Sequence, residues 1–200
     1  NKDILQQYVS DMIALDHHII EAVERQLEDK RVDAYPGTRP IIMSIKTTLQ
    51  TQADGLQQQL ASVGGEATGP VKSAISSIAG VAAGLYDKVR HDPVSKMLRD
   101  DYTALSLASI SYTMLHTTGL ALKHTGIANM AVRALKELTP LVIEISEIMP
   151  HLVVQDLSEE EVSIDESIAR QAVTNTQEAW SRENTAQAAT HASLRQLSPA

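Results

Sequence analysis

The sequence has 200 residues, a formal net charge of −8, one Trp, no Phe and no Cys. That length fits one domain, or one domain with a tail, with a core built from Leu, Ile, Val, Ala and Met. The missing Cys excludes disulfides, thiolate metal sites and thiol nucleophiles. The acidic balance argues against a nucleic-acid surface, and no run approaches the roughly 18 apolar residues of a membrane span.

Apolar residues recur at spacings of three and four almost throughout, and strand signals are scarce, so the expected class is all-α. The opening NKDILQQYVSD is polar and periodic rather than a signal peptide, and the expected location is the cytoplasm. The first helix is predicted from about Asp3 to Lys30. RVDAYPGTRP reads as a loop, with Pro40 in the first turn of a second helix that stops at Gly64-Gly65. A shorter, Gly/Ser-rich helix is predicted from about Pro70 to Arg90. Asp92-Pro93 marks the start of a third long helix that ends at Gly126. A fourth covers Ile127 to Met149 with Pro140 inside it. Ser158-x-x-Glu161 and Ser163-x-x-Glu166 have capping-box spacing, and the second opens a C-terminal helix to about Arg182. Two long hairpins joined through a short helix suggest a four-helix bundle over residues 1–156. Residues 157–200 then hold an acidic linker, the last helix and a polar tail.

The densest cluster of potential metal ligands is LDHHIIE, Leu15 to Glu21. Plotted at 100° per residue, its side chains diverge. Asp16 falls in the apolar stripe of Leu5, Val9, Met12, Ile19, Ile20 and Val23. His17 and Glu21 share one flank, and His18 points to solvent. On the second helix the only acid, Asp54, faces away from the stripe, and Gln52 lies nearest its centre. The third helix is apolar nearly all round, which predicts burial. Asp101, Ser111 and Tyr112 fall in its apolar arc, and its Ser and Thr read as small residues bonded to their own backbone. On the fourth helix Glu137, Glu144 and Glu147 face outward. A carboxylate-bridged di-metal bundle needs inward acids from all four helices. Here Asp16 is the inward acid at mid-length. The expected core cluster is therefore Asp16 with Gln52, Ser111 or Tyr112, and burial should raise its pKa. Spacings such as His17-x-x-x-Glu21 and His151-x-x-x-x-Asp156 occur in haemerythrin-like proteins, but the His-x-x-x-His pair those need is missing.

VSDMIALDHHIIEAV and LRDDYTALSLASISYTMLHTTGLALKHTG resemble the first and third helices of ferritin-like proteins of the YciE/YciF type. The resemblance covers roughly Asp3 to Pro150. It implies a ferritin-like bundle with a short helix in the crossover, and a bacterial stress-related setting. It also implies a di-metal centre, of which only Asp16 stands at a matching position. The expected ligands elsewhere fall on Gln50 and Thr51, on Ser111, Tyr112 and Met114, and on Thr139, Val142 and Ile143. The expected function is thus a non-catalytic structural or interaction protein without a cofactor, homo-oligomeric, with a partner surface on the C-terminal helix and no nucleic acid or membrane. One alternative is an iron- or manganese-binding protein with an altered site drawn from Asp16, His17, Glu21 and His116. The other is a carrier of a small apolar ligand, since a Phe-free core can leave voids.

Overall fold

A computed structural model of the chain describes residues 2–65, 93–160 and 163–181. Among these residues there are five α-helices and no strand: α1 Lys2–Leu27, α2 Thr38–Ser62, α3 Val94–Ala121, α4 Thr125–Glu159 and α5 Ser167–Ala179. The chain divides into two compact units, Asn1–Met149 and Pro150–Ala200. The helix predicted over Pro70 to Arg90 and the Asp92 cap lie outside the described residues. No helix among those described is long and apolar enough to cross a membrane.

α1 buries the predicted stripe, with Val9, Ile19, Ala22 and Val23 sealed from solvent. It ends earlier than expected, at Leu27. A 3-10 turn over Lys30–Asp33 follows, in which the Asp29 carboxylate accepts from the Arg31 backbone N–H. This is the competition of a short polar side chain with helix continuation. Gly37 takes φ 101 at the N-cap of α2, a conformation in which a side chain would be strained, and Pro40 sits in the first turn as predicted. α2 closes at the predicted glycines. Gly64, at φ 76, donates to the Ala61 carbonyl, and Gly65 donates to that of Leu60. Two donors thus satisfy carbonyls that the helix end would leave bare.

α1 and α2 run antiparallel. Gln6 Nε2 donates to the Val63 carbonyl at one end, while the Glu24–Lys46 pair and the Arg39 bond to the Leu27 carbonyl lie near the other. α3 also runs antiparallel to α1, joined by Gln26–Asp101 and Asp16–Tyr112. α4 lies antiparallel to α2: Gln52 Nε2 donates to the Ala134 carbonyl, a Cβ on Gly126 would meet Gln59 Oε1 at 2.9 Å, and one on Gly37 would meet Ile148 at 3.5 Å. α3 and α4 pack closely enough that a Cβ on Gly119 would meet the Ala128 backbone N at 2.8 Å. The chain therefore leaves α2 beside the start of α1 and enters α3 beside its end.

Three further boundaries differ from the sequence reading. α3 stops at Ala121, and the left-handed residue after it is Lys123, at φ 58, not Gly126. The His124 and Lys123 N–H groups donate to the Gly119 and Leu120 carbonyls, and His124 Nδ1 accepts from the Ile127 N–H at 3.2 Å. One three-residue link, Leu122 to His124, thus closes α3 and opens α4. α4 does not stop at Met149 but runs through Pro150 to Glu159, and Leu152 beyond the proline is only 1% exposed. Ser158 consequently lies inside a helix, bonded to the Val154 carbonyl, rather than capping one. α5 begins at Ser167, because the Asp165 carboxylate accepts from the Ser167 N–H at 2.8 Å; Ser163 does not start it.

Candidate functional site

Asp16 sits at mid-length on α1 with no exposed surface. Its placement follows from the stripe: residues three, four and seven positions away are aliphatic and buried, so the carboxyl enters the core with them. The Tyr112 hydroxyl donates to Asp16 Oδ2 at 2.6 Å, and Tyr112 is equally buried. Asp16 Oδ1 has no hydrogen-bond partner among the described residues. Desolvation pushes the Asp16 pKa up to about 8, against the opposing effect of the Tyr112 bond. The carboxyl is therefore mostly protonated at pH 7. Burial, and next the carboxyl beside it, hold the Tyr112 phenol well above its ordinary range. The pair is a neutral acid bonded to a neutral phenol, which avoids the cost of a bare buried charge.

The expected cluster forms only in part. Gln52 is buried, but its Nε2 turns to α4, donating to Ala134 O at 3.3 Å and to Glu137 Oε2 at 3.1 Å. Ser111 is half-buried at the edge of α3. The register of α1 on α2, fixed by Gln6–Val63 and Glu24–Lys46, puts Gln52 at about the height of Asp16. One polar layer thus crosses the core in two pairs, Asp16–Tyr112 and Gln52–Glu137.

A second buried contact lies about 15 Å further along α1, at 1.5 Å rise per residue. Gln26 Nε2 donates to Asp101 Oδ1 at 2.9 Å, with neither residue exposed. The apolar-arc position of Asp101 was legible, but Gln26 was missed. Its signal was its spacing: it continues the buried series Ile19, Ala22 and Val23. Periodicity places Glu137 on the outer face of its helix. It is exposed, yet its carboxylate takes the Gln52 amide.

The remaining candidate ligands stay apart. His17 and Glu21 are exposed on the flank of α1, one turn from each other. His18, expected in solvent, is half-buried. His116 is half-buried on α3 and its Nδ1 lies 2.9 Å from the Ala128 carbonyl of α4. A carbonyl only accepts, so that nitrogen carries the proton. No group of three His, Asp or Glu that could hold a metal occurs among the described residues. The donor set around Asp16, one carboxyl with a phenol and an amide nearby, does not fit the four-helix carboxylate site that the family resemblance implies. Asp16 and Tyr112 are both sealed, so neither presents a nucleophile or a general base to a solute.

The chain matches no protein-family model, no curated protein and no solved structure.

Proposed function

We propose that α1 to α4 form a ferritin-like four-helix bundle, similar to the YciE/YciF type, that acts as a non-catalytic, homo-oligomeric structural or interaction protein of the cytoplasm. The helix directions support the topology. α1 is antiparallel to α2 and to α3, and α4 is antiparallel to α2, so α2 ends and α3 begins at opposite ends of α1. A bundle connected in that order is the ferritin-like pattern.

The observation that carries the functional reading is the Tyr112 hydroxyl on Asp16. In a di-metal bundle the inward acid of the first helix is ionised and ligates. Here its environment favours the neutral acid, and the layer is completed by an amide and a phenol. Such a layer fixes the register of the helices, since any slip leaves buried polar atoms unpaired. The rival is a metal-binding bundle with an altered site. It would rest on Asp16 Oδ1 and Gln52 Oε1, two buried oxygens without a hydrogen bond from the described residues.

Metal analysis of protein prepared without a chelating tag separates the two. The proposed reading expects no stoichiometric iron or manganese and no stabilisation by either ion. One equivalent or more, lost on Asp16→Ala, overturns it.

A further inference from the structure

The sequence pattern of α3 predicts burial on all sides, yet one face of it stands in solvent. Thr103, Leu107, Ile110, Met114, Thr117 and Ala121 follow one another at alternating spacings of four and three. This is the a/d pattern of a helix seam. Ile110 is 57% and Met114 49% exposed, Leu107 is half-buried, and the other three are exposed. The buried residues Leu105, Ala108, Tyr112, Leu115 and Gly119 occupy the opposite side, so the outward stripe is a second seam on the same helix.

Two further observations define what fits it. From Tyr102 to Leu122 there is no Asp, Glu, Lys or Arg, whereas large exposed apolar residues of the other long helices sit among charges, Met43 near Arg39 and Lys46, Ile143 beside Glu144. The hydroxyls along the face are also turned inward. Thr103, Ser106, Thr113 and Thr117 each donate to the carbonyl four residues back, at 2.8 to 3.0 Å. Their polar atoms are thereby satisfied within the helix, and the face presents methyl and methylene groups.

We infer that this face of α3 is the contact surface for a second copy of the chain, packed helix against helix in antiparallel fashion about a two-fold axis near Ile110 and Met114. The inference rests on the homo-oligomeric reading above and names its surface. Charge selects the occupant. Each copy carries a net charge of −8, so two copies meet most favourably where neither presents a carboxylate, and this long helix face is uncharged. Orientation follows as well. A parallel pairing sets Lys96 and Arg99 of one copy beside their own counterparts, and an antiparallel pairing separates them. From Thr103 to Ala121 the seam is about 27 Å long at 1.5 Å per residue. Taken as a strip about 10 Å wide it supplies roughly 300 Å² per copy, against roughly 800 Å² in a standard interface. The dimer therefore forms and dissociates with concentration.

Sedimentation velocity of the full chain over a wide concentration range tests this. The expected result is a shift from the 21.7 kDa species toward twice that mass. Ile110→Glu places two carboxylates at the axis and should weaken association by at least about tenfold, with helicity and melting temperature kept. Ile143→Glu, on α4, should leave association unchanged. If Ile110→Glu loses helicity, Thr117→Glu, already polar and exposed, serves in its place. A wild-type chain that stays monomeric throughout overturns both this inference and the homo-oligomeric reading. A wild-type dimer that persists undiminished in a folded Ile110→Glu or Thr117→Glu variant overturns this surface alone. With no native Cys to interfere, Ile110→Cys should form an intermolecular disulfide on oxidation and Thr103→Cys should not. Cross-linking through Thr103→Cys overturns the antiparallel orientation.

Discussion

Replacing Asp16 with Asn isolates the protonation of the core. Asn keeps the shape and still offers an oxygen to the Tyr112 hydroxyl, but it cannot ionise. In the wild type the carboxyl has an ordinary value of 3.8 when unfolded and about 8 when folded. Between those limits the folded state holds a proton that the unfolded state has released. Stability therefore falls as pH rises through this window, by up to about 1.4 kcal/mol per pH unit. Below the unfolded value the effect vanishes, and above the folded value it is complete. Asp16→Asn removes the whole slope. At pH 7 the wild type carries a penalty of up to ~4 kcal/mol, three units above the unfolded value at ~1.4 kcal/mol each. The second amide hydrogen of Asn, if left unbonded, costs ~1–3 kcal/mol. A net gain of ~1–3 kcal/mol at pH 7 follows, and the gain shrinks toward pH 4 and becomes a loss there. Urea denaturation of both proteins at several pH values between 4 and 8 reads this directly, as a divergence of their midpoints. Parallel pH profiles for the two proteins would refute the reasoning, because they would mean that Asp16 titrates in the fold as it does in the open chain.

Three further outcomes follow from the geometry. Tyr112→Phe removes the donor to Asp16 Oδ2 and leaves a sealed carboxyl oxygen bare, so it should destabilise by ~1–3 kcal/mol; the urea midpoint at pH 6 measures this, and an unchanged midpoint contradicts the hydrogen bond. Lys123→Gly relieves the left-handed backbone after α3 and should stabilise by ~0.5–1 kcal/mol, seen as a higher melting temperature. Gly119→Ala forces a methyl against the Ala128 backbone, 2.8 Å from its N. It should cost ~1–3 kcal/mol through overpacking, and a neutral effect on thermal melting would show that α3 and α4 separate freely.

The α1–α2 hairpin was legible because each of its signals is local. The stripe from Leu5 to Val23, Pro40 in a first turn, and Gly64-Gly65 at a left-handed cap all act within a few residues of where they stand. The link from α3 to α4 was less so. Gly126 looked like the stop, but the stop is set by its surroundings: His124 caps the next helix through Ile127, which leaves Lys123 to take the unfavourable backbone. Pro150 misled for a similar reason. A proline inside a helix costs ~3 kcal/mol, yet α4 runs through Pro150 and buries Leu152 beyond it, which sequence spacing does not reveal. The inward direction of Asp16 was plain from periodicity, and its partner was among the three expected. The choice of Tyr112 over Gln52 depended on which helix each side chain turns to, a tertiary fact. Gln52 spends its amide on Ala134 and Glu137 of α4. The outward seam of α3 was hidden by its own composition, since an uncharged helix reads as a buried one.

The aromatic residues are divided in a way that sets what light can report about this molecule. The single Trp of the sequence, Trp180, lies just past α5 in the second unit and is 59% exposed. The first unit has neither Trp nor Phe, and Tyr112 is its one fully buried aromatic among the described residues. Indole emission thus reports the surroundings of the C-terminal unit. The asymmetric environment of the α1–α4 core is carried by a phenol ring, in the near-ultraviolet dichroism of tyrosine. Since that phenol is hydrogen-bonded to Asp16, its band should move as the carboxyl ionises, giving an optical titration of the core.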